Sequence, residues 1–142
     1  MFYATDINPD ALARAEAGIY ALDRIAGFTQ NYLAAGGKRS LSDYYHAAYG
    51  GARVAGALKD RVVFADHSLS TDEVFLEAHL VSCRNVMIYF DRALQDRALG
   101  LFSDSLVRRG FLGLGSKESL RFSKHAGSFA DFDARERLYQ KV

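Results

Sequence analysis

The stretch Cys83-Arg84-Asn85-Val86-Met87-Ile88-Tyr89-Phe90-Asp91 decides how this chain is read. Leu80, Val81 and Cys83 before it have the character of a buried strand. Arg84 and Asn85 then set a cation and an amide where that strand ends. Val86 to Phe90 is an apolar run carrying one phenol, and Asp91 opens an amphipathic helix. In open α/β sheets, ligands bind outside the carboxyl ends of the strands, so polar groups that abruptly end an apolar strand are candidates for a site. A turn that is merely capped and solvated would use the same residues.

Working outward, Phe2 to Thr5 reads as a short strand. Asn8-Pro9-Asp10 is a helix start: a cap, a proline in the first turn and an acid near the positive end. Gly18 is placed to end that helix. Leu22, Ile25 and Phe28 or Tyr32 have helical spacing, interrupted by Gly27. Gly36-Gly37 and Gly50-Gly51 mark turns. Tyr44, Tyr45 and Tyr49 between them suggest a small aromatic core in a connector, and 53–57 suggests a short strand. Val62 to His67 is a β-rich run, and Thr71-Asp72-Glu73 suits a short helical turn. His79 to Cys83 is the next strand.

After Asp91, the stripe Leu94, Ala98, Leu101, Phe102 and Leu106 predicts a helix. Arg108-Arg109 would lie near its negative end, and Gly110 would stop it. Phe111 to Gly115 then reads as a strand. Phe129–Phe132 and Arg137–Val142 read as a terminal pair, turning at Asp133, Arg135 and Glu136. Strands alternating with helices imply an α/β protein with a mostly parallel sheet.

The chain has 142 residues, 49% hydrophobic and 25% charged. That is an ordinary balance for one globular domain. The net charge of +1 comes from 18 basic and 17 acidic residues, well interspersed. It gives no electrostatic case for nucleic acid or membrane surfaces. One cysteine excludes an internal disulfide. His46, His67, His79 and His125 are scattered without metal-ligand spacing. No signal segment or membrane-length apolar run is evident, so a cytoplasmic location is expected.

The CRNVMIYFD segment resembles the signature of the CheR family, the S-adenosylmethionine-dependent protein-glutamate methyltransferases of bacterial chemotaxis. Ala4-Thr5-Asp6-Ile7 and Gly113-Leu114-Gly115-Ser116-Lys117-Glu118-Ser119-Leu120 agree in order, as do Ala17-Gly18-Ile19-Tyr20 and Val62-Val63-Phe64. The resemblance covers essentially the whole chain. It implies a Rossmann-like methyltransferase sheet, mostly parallel, ending in a C-terminal antiparallel hairpin. It also implies a small antiparallel subdomain at 19–61, inserted within a 1–142 catalytic region and used to dock receptor tails.

The resemblance assigns S-adenosyl-L-methionine as cofactor and glutamates of chemoreceptors as methyl acceptors. Asp6 would accept hydrogen bonds from the ribose hydroxyls, the chemistry that puts an acid after a strand in dinucleotide-binding folds. An aspartate there is also a good turn residue. Ser68 and Leu69 would flank the adenine. The family usually has asparagine at Ser68, and serine lacks the amide pair that both donates and accepts. Arg84 and Asn85 would lie by the methionine and adenosine parts, and Tyr89 nearest the transferred methyl. Otherwise Tyr89 is an aromatic packed at a helix start, and Ser68 a solvated turn residue. Cys83 reads as a small buried residue.

Members of the family carry helices, a first strand and a glycine-rich acidic loop ahead of the region matched. This chain begins at the second strand of that order, so the sheet is expected to lack its first strand and that loop. The Phe2–Thr5 and His79–Cys83 strands would then lack a shared neighbour. They would pair directly, take a strand from a longer gene product or another chain, or leave a poorly stable fragment. A non-catalytic module binding a receptor or partner is the alternative function. A nicotinamide-binding fragment is disfavoured, because only Asp6 supports it. The chain alone is expected to bind S-adenosylhomocysteine weakly or not at all; micromolar affinity in isothermal titration would refute this.

Overall fold

The computed structural model describes residues 1–142, which form two compact units, Met1–His67 and Ser68–Val142. The first unit opens with strand β1 (Phe2–Asp6), helix α1 (Pro9–Ala17), strand β2 (Ile19–Ala21) and helix α2 (Leu22–Ala34). A 3-10 turn at Leu41–Tyr44 leads to β3 (Tyr45–Ala48), β4 (Gly51–Val54), the single-turn helix α3 (Gly56–Lys59) and β5 (Val62–Asp66). β1 and β5 run parallel, Phe2 opposite Val62 and Asp6 opposite Asp66. β2, β4 and β3 make a separate antiparallel sheet in that order.

Local chemistry accounts for these elements. The Asn8 side chain accepts from the backbone N–H groups of Asp10 and Ala11 at 2.9 and 3.3 Å, which starts α1. Gly18 ends it with φ +65, a left-handed conformation that a Cβ would disfavour. Lys59 Nζ donates to the carbonyls of Glu16 and Ala17, neutralising the last turn. Tyr49 and Gly50 both have positive φ between Ala48 and Gly51, the two-residue loop that matches strand twist.

Three expectations are corrected in this unit. Gly27 does not interrupt α2: a lone glycine costs a helix only about 1 kcal/mol, too little to end it. The tyrosines form no core. Tyr44 meets Tyr32 edge to face at 6.1 Å, whereas Tyr49 is fully exposed at the hairpin tip. The strand expected at 53–57 ends at Val54, and Gly56–Lys59 is helical.

The second unit holds β6 (Ala78–Cys83), a 3-10 turn at Met87–Tyr89, helix α4 (Arg92–Ser105), β7 (Leu106–Leu114), β8 (Phe129–Asp133) and β9 (Leu138–Lys141). Its sheet order is β6-β7-β9-β8, parallel between β6 and β7 and antiparallel thereafter. The terminal pair is therefore the expected hairpin. Its core gathers Leu99 and Phe102 from α4, Leu112 and Leu114 from β7, with Met87, Leu120 and Tyr139. Asp91 caps α4 by accepting from Leu94 N at 2.9 Å.

Here too the structure amends the sequence reading. α4 stops at Ser105, and β7 starts at once, running through Arg108, Arg109 and Gly110. Arg109 takes φ +64 within that strand. The end of the helix is met instead by Lys141 from β9, whose Nζ donates to the carbonyls of Ser103 and Leu106, both at 2.6 Å. Leu80 is 59% exposed rather than buried, since β6 is an edge strand paired only with β7. Residues 69–71 make one turn, closed by Asp72 N donating to Ser68 O, with no helix following.

The expected single sheet is thus represented by two parallel pairs. β1 and β6 belong to different sheets and do not pair directly. No helix is long and apolar enough to cross a membrane. Because Lys141 serves two carbonyls at once, Lys141→Met, which keeps the apolar stem, should destabilise the second unit by about 2 kcal/mol. Urea titration followed by circular dichroism reads this; an unchanged midpoint would mean that water serves those carbonyls equally well.

Candidate functional site

Each parallel pair ends in polar groups. In the first unit, β1 finishes at Asp6, whose Oδ1 accepts from Asn8 N at 2.9 Å. Asp6 is exposed, and its backbone carbonyl accepts from His67 N. The carboxylate is therefore oriented by the start of α1 while facing solvent. That suits an acceptor of hydroxyl hydrogen bonds, and it equally makes Asp6 a turn residue.

In the second unit, Arg84, Asn85 and Tyr89 follow one another beyond the end of β6, all exposed. Arg84 has no carboxylate partner and Tyr89 no hydrogen-bonded one. Tyr89 is 83% exposed on the 3-10 turn, so it is not a core aromatic. Asn85 has φ +60. Asparagine is among the few residues other than glycine that enter this region readily, so Asn85 has a backbone reason for its place as well as a chemical one.

Ser68 and Leu69 are partly buried and already occupied. Ser68 N donates to Asp72 Oδ2 at 2.8 Å, and its hydroxyl lies 2.8 Å from that of Ser70. Leu69 packs against the core of its unit. The structure gives both a local role, and the Ser68 hydroxyl a competing partner. Arg84, Asn85 and Tyr89 are thus brought together on one segment. Leu69 shares the core beneath them, and Asp6 belongs to the other unit.

A residue without an assigned role in the sequence holds this segment from the loop after β7. Glu118 is 4% exposed. Its Oε2 accepts from Asn85 N at 3.0 Å and Gly115 N at 2.6 Å. Its Oε1 accepts from Val86 N at 2.9 Å and Met87 N at 2.8 Å. No cation faces it. An acid three residues after the glycine that ends an apolar strand was the available signal. From the other side, Gln95 Nε2 donates to the carbonyls of Met87 and Phe90 at 3.0 and 3.1 Å. Gln95 also lines a cavity of about 290 Å³, with Arg92, Asp96, Leu99 and Phe122.

Glycine is required at 115, where an added Cβ would lie 2.6 Å from Asn85 Oδ1 and 2.7 Å from Glu118 Oε2. The loops after β6 and β7 are therefore in close contact. Such a surface has the chemistry to hold a polar ligand that carries a carboxylate: an exposed guanidinium for the anion, with an amide and a phenol beside it on a braced segment. It fits S-adenosylmethionine in kind, though Ser68 offers that ligand little.

The residues 1–137 match the sequence model of the family described as CheR methyltransferase, SAM binding domain. The chain belongs to this family of S-adenosylmethionine-binding methyltransferase domains. It is 54% identical to “Putative methyltransferase Cher3” of Pseudomonas putida over 99% of this chain and 52% of that protein. It is 34% identical to a chemotaxis protein methyltransferase of Borreliella burgdorferi over 86% of this chain and 41% of that one. With the chemotaxis protein methyltransferase of Escherichia coli the identity is 28%, over 94% and 43%. The chain spans about half the length of the curated relatives it matches.

Cys83, last in β6, is buried, and burial together with the Glu118 charge pushes its thiol from 9.0 up to about 12. A neutral thiol is a poor nucleophile, so dithionitrobenzoate at pH 8 should label Cys83 only after unfolding. The raised value also sets the sign of its pH linkage. The contribution of Cys83 to stability is full below about pH 9 and is lost as pH rises through about 12. Fast labelling of the folded chain would contradict this.

Proposed function

We propose that this chain is the catalytic region, with an inserted subdomain at 19–61, of a protein-glutamate O-methyltransferase of chemotaxis signalling. Its acceptors are side-chain carboxylates of the cytoplasmic region of chemoreceptors. The observation that carries this reading is the segment Arg84–Tyr89, braced from both sides and presenting unpartnered polar side chains in a chain of this family. The names of the relatives support the chemotaxis setting.

When bound, S-adenosylmethionine supplies the methyl group, its sulfonium becoming a neutral thioether as the acceptor oxygen takes the methyl carbon. An exposed glutamate is already ionised at neutral pH, so the chain needs no general base. Its task is alignment and exclusion of water, and positioning of this kind contributes up to roughly 7–11 kcal/mol. In this reading Asp6 holds the ribose hydroxyls, and Leu69 with the Ser68 backbone flanks the adenine. Arg84 and Asn85 hold the cofactor from the β6 end, Arg84 also steering the acceptor carboxylate. Tyr89, exposed and free to donate, orients the reacting groups.

The non-catalytic alternative rests on the antiparallel sheet β2-β4-β3, which would dock a partner whether or not methyl transfer occurs. The full gene product, incubated with methyl-labelled cofactor and a receptor cytoplasmic fragment, distinguishes the two. Transfer should give a base-labile label released as methanol, the mark of a carboxyl ester. Tyr89→Phe, Arg84→Ala and Asp6→Asn should each lower kcat/KM at least tenfold. Receptor binding with no transferred label would select the docking module.

A further inference from the structure

We propose that Glu118 is a positioning residue for the candidate site, fixing the Arg84–Tyr89 segment by its four backbone hydrogen bonds while touching no ligand itself. The proposal rests on the methyltransferase reading for its catalytic consequence, but not for its geometry. A buried carboxylate without a cation is costly unless hydrogen bonds satisfy it. Glu118 has four such bonds, at 3.0, 2.9, 2.8 and 2.6 Å, shared two to each oxygen. Three consecutive N–H groups, of Asn85, Val86 and Met87, converge on it where Asn85 turns the chain through φ +60, and Gly115 supplies the fourth from the loop after β7. Without an anionic acceptor, three consecutive amides would converge with no partner.

The division of labour between the oxygens makes the device sensitive. Oε2 joins the loop after β6, through Asn85, to the loop after β7, through Gly115. Oε1 holds Val86 and Met87, which start the turn bearing Tyr89. Gln95 grips the carbonyls of the same turn. The segment is thus held by its N–H groups on one side and its C=O groups on the other. That leaves the exposed side chains of Arg84, Asn85 and Tyr89 on a fixed backbone. Displacements near 1 Å at a reacting centre cost on the order of 100-fold in rate, so such bracing matters to chemistry.

Glu118→Gln tests this with minimal change of shape. A glutamine carbonyl accepts for one pair of amides, while its NH2 confronts the other pair. In the 15N-labelled full chain, the Asn85, Val86, Met87 and Gly115 amide signals should shift, and at least two should exchange faster than in the parent. In the full gene product, kcat/KM for methyl transfer should fall ten- to a hundredfold per folded molecule. Phe129→Ala, a core change in β8 at the sheet edge opposite β6, serves as the matched destabilised control and should retain its rate. Gln95→Ala should move the same segment and lower the rate less.

If Glu118→Gln folds and transfers methyl at the parental rate, or if the four amides are unmoved, the proposal is overturned. It is equally overturned if Phe129→Ala, at equal loss of stability, loses as much rate. If the parent transfers no methyl while the four amides still respond, the methyltransferase reading fails and the structural positioning stands. If Glu118→Gln does not fold, Gln95→Ala decides: an unchanged rate with a displaced segment would overturn the claim that bracing governs the chemistry.

Discussion

The ends of two parallel strands pose a problem that one carboxylate resolves. Where β6 and β7 stop, their backbone N–H groups lose ladder partners, yet Met87 and Gly115 there are buried. Glu118 accepts four of these groups, from Asn85, Val86, Met87 and Gly115. Charge-assisted hydrogen bonds are each worth about 1.5–3 kcal/mol, and each orphaned donor would cost a comparable amount. The buried anion and the converging amides are therefore mutually dependent. Gly115 completes the arrangement, because any side chain there would occupy the space of Asn85 and Glu118.

Much of the fold was legible because local chemistry and tertiary packing agree. Asn8-Pro9-Asp10 started α1, Asp91 started α4, and Gly18 closed its helix, each by a short-range hydrogen bond or dihedral that needs nothing distant. The failures occur where a distant partner takes over. Arg108, Arg109 and Gly110 look like a helix end, but they lie within the nine-residue strand β7, at the irregularity between its Leu106 and Phe111 pairings with β6. The helix end is then served by Lys141, which sequence proximity cannot reveal. Leu80 looks buried by composition, but an edge strand leaves it exposed. Gly27 shows that a weak local preference yields to a continuing helix.

The site was legible to a different depth. Arg84, Asn85 and Tyr89 stand out as polar groups ending an apolar strand, and they share one exposed segment. The sequence allowed Asn85 a ligand site or a capped turn, and its left-handed backbone gives the turn reading a specific conformation. Ser68 departs from the family pattern, and the structure shows its hydroxyl engaged with Ser70. Spacing could flag Glu118 only through Gly115, three residues before it, since its other three partners lie 31–33 residues away. A long-range acceptor of backbone amides leaves almost no trace in composition or periodicity.

The two units differ sharply in what they bury. Nearly all the buried apolar side chains belong to Ser68–Val142, whereas Ala52 alone represents Met1–His67 among them. Cooperative stability follows buried contacts. The second unit, with the denser core, is thus expected to have the higher opening free energy of the two. Limited proteolysis would enter through Met1–His67 and spare the sheet that carries Arg84 and Tyr89.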